Sequence, residues 1–411
     1  MRKLILTLCA ILMMNGCIIW HELGGASRYQ PKDLEHRLST DAQALLHAAL
    51  SELKGQQIFD YHAHVIGLGQ DDTGIYLNKR VQSWLHPEEH VRFLIFSSAS
   101  GLKNFNHADR DCVLRLIDLV KFNPSSPKLL LLPFEHYYDS AGNIDLNKTE
   151  FYVPNKYVFS IMEKYPQYFQ AAMSVHPYRQ DAISELEKWA KKGIRIVKWL
   201  PNSMGIDPQD SRCDPFYKKM HELNLILLTH TGEEQAVGPN QKQEYGNPLL
   251  LRRALDHGVK IIAAHCASLG ENEDLDNPGA KETSFRLFMR LMDDPKYKNL
   301  LFGDISAITF FNRTKEPLLT LLERPDIHER LVYGSDYPLP AVNFLVHTRD
   351  LQNKGFITKE ECKALNEIYN YNPLLFDLVL KRTLKHPKTG QKFSSKIFLK
   401  NPLLSSVAIA N

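Results

Sequence analysis

An α/β fold, a (β/α)8 barrel of eight parallel strands, is predicted by three features of the sequence. Eight short apolar runs recur along the chain, amphipathic stretches separate them, and polar residues gather at their C-terminal ends. A parallel barrel requires this alternation, because each strand is buried on both faces and each crossover is a helix. The rival is an open doubly wound sheet, which would carry a glycine-rich phosphate loop, and no run is followed by one.

The runs are "IFDYHAH" (58–64), "KLLLLPF" (128–134), "FQAAMSV" (169–175), "IRIVKWL" (194–200), "LILLTH" (225–230), "KIIAAH" (260–265), "LLFGDIS" (300–306) and "LVYGSD" (331–336). Between them, "DAISELEKWAKKG" and "PLLLRRALDHGV" show apolar residues on one helical face and a glycine stop at Gly193 and Gly258. The stretch from Val65 to Pro127 is too long for a simple connection. It holds another apolar run, "VRFLIFSSAS" (91–100), which suits a ninth strand or a buried helix, and it is read as an insertion after the first strand. Four segments follow: 1–17 a signal peptide, 18–54 an N-terminal helical segment, 55–380 the barrel, and 381–411 a basic C-terminal extension. That extension reads as a solvated appendage which, near an anionic lipid surface, would add attraction.

The leader "MRKLILTLCAILMMNGCIIW" has a basic start at Arg2 and Lys3 and an apolar stretch from Leu4 to Met14. The stretch is shorter than the roughly 20 residues that cross a bilayer and fits a signal peptide. Gly16 directly before Cys17 resembles the lipobox of bacterial lipoproteins, although Met14 and Asn15 depart from its favoured residues; a plain signal peptide or uncleaved anchor is the alternative. The resemblance implies an exported protein of the bacterial cell envelope, held to the bilayer by an acylated Cys17. Ile18 lacks the aspartate that commonly retains such proteins at the inner membrane, which points to the outer membrane facing the periplasm.

Composition is that of an ordinary globular chain of 411 residues, 44% hydrophobic and 24% charged. A formal net charge of +3 supplies no electrostatic reason for a nucleic-acid partner. Of six cysteines, Cys9 and Cys17 fall in the leader, and Cys112, Cys213, Cys266 and Cys362 are far apart with no C-x-x-C spacing, so no zinc knuckle is expected and at most one bridge.

The chemistry sits where the runs end. Strands alternate their side chains, so His62 and His64 face the same way, which makes half of a metal site. His230, His265 and Asp336 stand at the ends of runs five, six and eight, and Lys198 late in run four. Barrel enzymes place their chemistry at that end, so these residues converge although they are distant in sequence.

The set "FDYHAH", "LLTHTGEE", "AAHCAS" and "VYGSDYP", followed by "NEIYNYNPLLFDL", resembles the amidohydrolase superfamily of metal-dependent barrel hydrolases, in the branch that also contains non-oxidative decarboxylases. The resemblance implies a distorted barrel in which His62, His64, His230 and Asp336 bind one divalent metal ion. Asp336 would also serve as base. His265 would act on the substrate, or bind a second metal if Lys198 were carboxylated to bridge two ions. A bare ammonium beside a divalent cation is unfavourable, so Lys198 must be carboxylated, neutral, or turned to a carboxylate such as Glu233 or Glu234 or to an anionic substrate that it binds; one metal and an unmodified Lys198 is the reading adopted. Three imidazoles and a carboxylate suit zinc, with manganese, iron or nickel as substitutes. Metal-activated water would then attack an amide, ester or lactone of a small molecule. Decarboxylation on the same ligands, or a non-catalytic binding barrel, are the alternatives. Arg179 could grip a substrate carboxylate and Glu233 could contact substrate, although an exposed loop arginine is the commoner case. Asp304 is expected to orient a ligand histidine.

Overall fold

The computed structural model describes residues 24–25, 29–102, 105–238 and 241–404; the leader with Cys9 and Cys17 lies outside them. Each of the eight runs holds one barrel strand: β1 Phe59–His64, β2 Lys128–Leu132, β3 Phe169–Ala171, β4 Ile196–Trp199, β5 Ile226–Thr229, β6 Lys260–Ala263, β7 Leu301–Asp304 and β8 Leu331–Val332. Strands β1 to β3 pair in parallel as one sheet and β4 to β8 as another. Two seams join them. Met173 bridges Val197 beyond β3, and Ala63 bridges Tyr337 beyond β8, with the Tyr61 amide donating to the Tyr333 carbonyl at 2.9 Å. The result is a closed but distorted (β/α)8 barrel.

Alternation decides what fills it. Leu130, Leu132, Ile196, Ile226, Leu228, Ile262, Phe302 and Val332 form the interior cluster, whereas their odd-numbered neighbours such as Leu129, Val197, Leu227 and Ile261 pack in the layer beneath the helices. In β1 the lower interior positions are odd, Phe59 and Tyr61. The pairing with β2 then slips between Asp60 and Ala63, a bulge. This extra residue turns the even-numbered His62 and His64 to the barrel mouth while Phe59 and Tyr61 fill its floor.

The insertion after β1 is helical where its sequence left two options. Residues 91–99 belong to helix Pro87–Ala99, which Ser100 ends, and Val91, Ile95 and Ala99 recur at helical spacing and pack on Ala341 and Val342 beyond β8. A second helix, Ala108–Lys121, completes the insertion, and its strand Tyr76–Leu77 pairs antiparallel with Phe151–Tyr152 of the connection between β2 and β3. The N-terminal segment forms helix Thr40–Leu50, capped by Ser39, and packs against helices Lys359–Tyr371 and Pro373–Thr383. No helix among the described residues is long and apolar enough to cross a membrane. Cys112, Cys213, Cys266 and Cys362 are buried free thiols, so the single bridge allowed above is not formed among them.

The basic tail is not the solvated appendage its composition suggests. Lys381 is fully buried and donates to Asp377 (2.8 Å) and the Gly334 carbonyl (2.9 Å), while Arg382 ties Glu52 (2.7 Å) to the tail through the Phe393 carbonyl. Beyond them Leu399 bridges Ile58, the Asn401 amide donates to the Tyr61 hydroxyl, and Leu404 joins the interior cluster from below. Apolar residues interleaved with the lysines thus form the floor of the barrel. Phe398 is wholly buried, its ring 5.2 Å from that of Tyr333 and 5.3 Å from the Arg382 guanidinium. Phe398→Ala is therefore expected to cost about 3–5 kcal/mol, read as a shift of the urea midpoint at constant m. A change under about 1 kcal/mol would contradict this packing role.

Candidate active site

The residues at the strand ends meet at one place, and the local backbone explains why. Gly334, two residues before Asp336, has to be glycine: a Cβ there would come 2.7 Å from the Cβ of His62. His265 and Asp336 both hold left-handed backbone, φ 58° and 62°, which costs of order 1–3 kcal/mol at a non-glycine residue and clusters at functional sites. At His265 the turn is fixed by its amide donating to Asp304 Oδ1 at 2.9 Å, so the strand ends and the imidazole swings inward. At Asp336 the amide donates to the His62 carbonyl at 2.7 Å.

His62 is nearly inaccessible. Its Nδ1 lies 2.9 Å from Asp304 Oδ2, which leaves Nε2 facing Asp336 Oδ1 at 3.5 Å and Lys198 Nζ at 3.2 Å. His64 Nε2 reaches the same Asp336 oxygen at 3.2 Å, its ring stacked on Phe134. His230 is held through Nδ1 by Glu234 at 3.2 Å, and its Nε2 is buried without a partner. His265 Nδ1 meets Ser306 Oγ at 2.7 Å, with Asp336 Oδ2 at 3.9 Å. Ser306 Oγ also donates to Asp304 Oδ1 through a short hydrogen bond.

Burial sets the charge states. It pushes His64 down to about 4, against the Asp336 hydrogen bond that would hold it up, and pushes His230 and His265 below the usual histidine range. Neutral imidazoles are what a metal ion requires. Burial would raise Asp304 and Asp336, but the surrounding histidines outweigh it and both carboxyls stay well below the ordinary range. Lys198 is pushed down to about 8 by burial, with Asp304, Asp336 and Glu234 opposing.

The donor set fits a metal ion. His62, His64 and Asp336 each offer an atom within 4.8 Å of the others, and a second group, His62 with His265 and Asp304, shares the first histidine. The unpartnered His230 Nε2 is a buried acceptor with no other use. Two of the rings are oriented from behind, His62 by Asp304 and His230 by Glu234.

Not every residue singled out in the sequence takes the place expected. Arg179 is a correction: its guanidinium is clamped by Asp181 through two bonds of 2.8 Å and by buried Glu135 at 2.8 Å, so protein carboxylates fill its fork. Glu233 turns to Gln235 at 2.8 Å, and it is Glu234 that backs a histidine. Two residues escaped sequence reasoning altogether. Ser306 lies two residues past Asp304 on the same parity, a signal that was available. Arg313 lies in the loop after β7, where alternation carries no information.

A family model described as amidohydrolase matches residues 144–346, about half of the chain. Among solved structures, a TIM-barrel protein of Bordetella bronchiseptica is 13% identical, covering 76% of this chain and 95% of its own, with a TM-score of 0.47. The 4-oxalomesaconate hydratase of Rhodopseudomonas palustris is 15% identical over 75% of this chain and 92% of its own, TM-score 0.39. The 5-carboxyvanillate decarboxylase of Novosphingobium aromaticivorans is 12% identical over 77% and 94%, TM-score 0.42. No curated protein matches the chain.

Proposed function

From a chain that belongs to the amidohydrolase superfamily, we propose a metal-dependent hydrolase that cleaves an amide, ester or lactone of a small molecule. The observation that carries this reading is the convergence of His62 Nε2, His64 Nε2 and Asp336 Oδ1, with the orphaned His230 Nε2 as fourth donor. These four would hold one divalent ion, zinc by donor type. Such an ion supplies Lewis acidity and lowers the pKa of a coordinated water to about 7. Asp336 Oδ2, the oxygen not shared with His64, accepts the proton of the attacking water. His265, whose Nδ1–H donates to Ser306 Oγ, presents Nε2 as an acceptor; it would take up the proton that Asp336 accepts from the water and then deliver it from Nε2 to the leaving group. Lys198 stays unmodified; its Nζ, 3.2 Å from His62 Nε2, would turn from that nitrogen towards Asp304, Asp336 or Glu234, or stay neutral, when the ion is bound.

Decarboxylation on the same residues is the second reading, favoured by one observation: His62, His230, His265 and Asp336 are all at most 4% exposed, a dry setting in which a carboxylate loses its solvation. The deciding experiment is a substrate panel of esters, lactones, amides and aromatic carboxylic acids. It is scored in parallel for acid release and for CO2, on protein whose metal content has been measured. Hydrolysis without CO2 supports the first reading, CO2 release the second, and no turnover by metal-loaded protein would leave a binding barrel.

The leader motivates a separate proposal, that the mature chain begins at an acylated Cys17 in the outer membrane. One acyl chain binds a bilayer only marginally and several bind firmly. Cys17→Ala is expected to move the protein from the membrane fraction to the soluble one with unchanged turnover. Mass spectrometry finding an unmodified Cys17 in a bacterial host would refute it.

A further inference from the structure

The loop after β7 brings a cation to the site that the proposed chemistry does not use. Arg313 is 8% exposed, its amide fixed in a turn by the Phe310 carbonyl at 2.8 Å. Among the described residues its guanidinium makes one hydrogen bond, from Nη1 to Ser268 Oγ at 2.9 Å, and its buried Nε finds no acceptor. Among the described residues no carboxylate comes within 4.0 Å of it. Other arginines are treated differently: Arg179, Arg290 and Arg324 each have two carboxylate partners.

A buried guanidinium with five donors and no carboxylate in direct contact is costly, and a bound anion would complete it. Its surroundings say where that anion would sit. Asp336, Glu233, Glu234 and Asp304 all lie close enough to act on its charge, and it acts in turn on His230 and His265. Ser268 is three residues past His265 on the same kinked segment, so the one bond Arg313 makes anchors it to the element that carries the proposed acid.

We propose that Arg313 is the seat of a substrate oxyanion, a carboxylate, placed beside the metal ligands. The location of the subsite rests on the metal-centre reading above; its existence rests on the unpaired guanidinium. A planar fork suits a carboxylate held through two parallel bonds. An inorganic oxyanion would use the same donors, so the test must tell the two apart.

The test uses the full metal-loaded chain, with benzoate and inorganic phosphate as probes, followed by calorimetry and thermal melts. Wild type is expected to bind benzoate with a rise in Tm. Arg313→Met is expected to weaken benzoate binding roughly ten-fold or more, the worth of a charged hydrogen bond. Its ligand-free Tm and metal content should stay at or above wild type, since an unpaired buried charge has been removed. If Arg313→Met does not fold, Arg313→Lys carries the test: it keeps the charge without the fork and should weaken benzoate several-fold. Unchanged benzoate affinity in the variants, a lower ligand-free Tm with affinity intact, or a wild type that binds neither probe would overturn the proposal. Phosphate binding more tightly than benzoate would overturn the carboxylate assignment. A wild type that takes up no divalent metal on loading yet binds benzoate through Arg313 would sink the hydrolase reading and leave this one standing.

Discussion

Replacing His62 and His64 together by alanine is expected to empty the site of its divalent ion and to abolish turnover. Two of the four proposed donors vanish, and those left, His230 and Asp336, are too few to hold a transition metal tightly. Because turnover depends on the ion, activity and metal content should fall in step. The barrel should nonetheless melt cooperatively, since its floor and outer layer are packed from a large apolar core of which Phe134 is the member stacked on His64. Asp304 Oδ1 keeps the His265 amide and both groups of Ser306, but Oδ2 loses the Nδ1 of His62, so a lower Tm is expected alongside the lost metal. Elemental analysis returning the same metal per chain after the double substitution would defeat the assignment. Two equivalents in wild type, with a carbamate on Lys198, would replace the one-metal scheme by a bridged pair.

The second large effect isolates His265. His265→Asn is expected to lower kcat by roughly 10²–10⁴, the range for loss of a general acid or base, with metal content close to wild type. Asparagine is the informative choice because it tolerates left-handed backbone better than most residues, and His265 sits at φ 58°. His230→Asn should behave differently, losing metal and activity together, since the unpartnered Nε2 of His230 is its proposed contribution. Proportional loss of metal in His265→Asn would make His265 a ligand. Full activity would make it a strand-end brace with Ser306 as its partner.

The strands were readable because burial on both faces leaves an unbroken apolar run, and all eight runs hold a strand. The site histidines were readable because a polar side chain at the end of such a run has few places to go except the mouth. What could not be read depends on contacts between distant segments. Alternation carried down from His62 and His64 would put Asp60 in the barrel interior; the bulge against β2 instead assigns the floor to Phe59 and Tyr61. Residues 91–100 suited strand or helix by apolar content, and packing on Ala341 and Val342 is what selects the helix. Arg179 looked available because its clamps, Glu135 and Asp181, belong partly to another strand end. The tail looked solvated because its lysines mask Phe393, Ile397, Phe398 and Leu404, whose destination is a floor formed 340 residues earlier.

That last separation bears on the order in which the molecule can be made. Tyr61 and Asn401 are 340 residues apart, and synthesis at about 5–20 residues per second puts roughly 20–70 s between them. Through that interval the growing chain can build strands and crossover helices in sequence, but the lower rim has no lid and the interior side chains of β1 face water. Contacts of such long range also slow the final closure, because the loop between the partners must be ordered before they reward it. A chain interrupted after helix Pro373–Thr383 would hold every residue of the site and still be an open cylinder. Sealing from below is therefore the step that commits the chain, and a factor that holds it unfolded would need to do so only until the tail arrives.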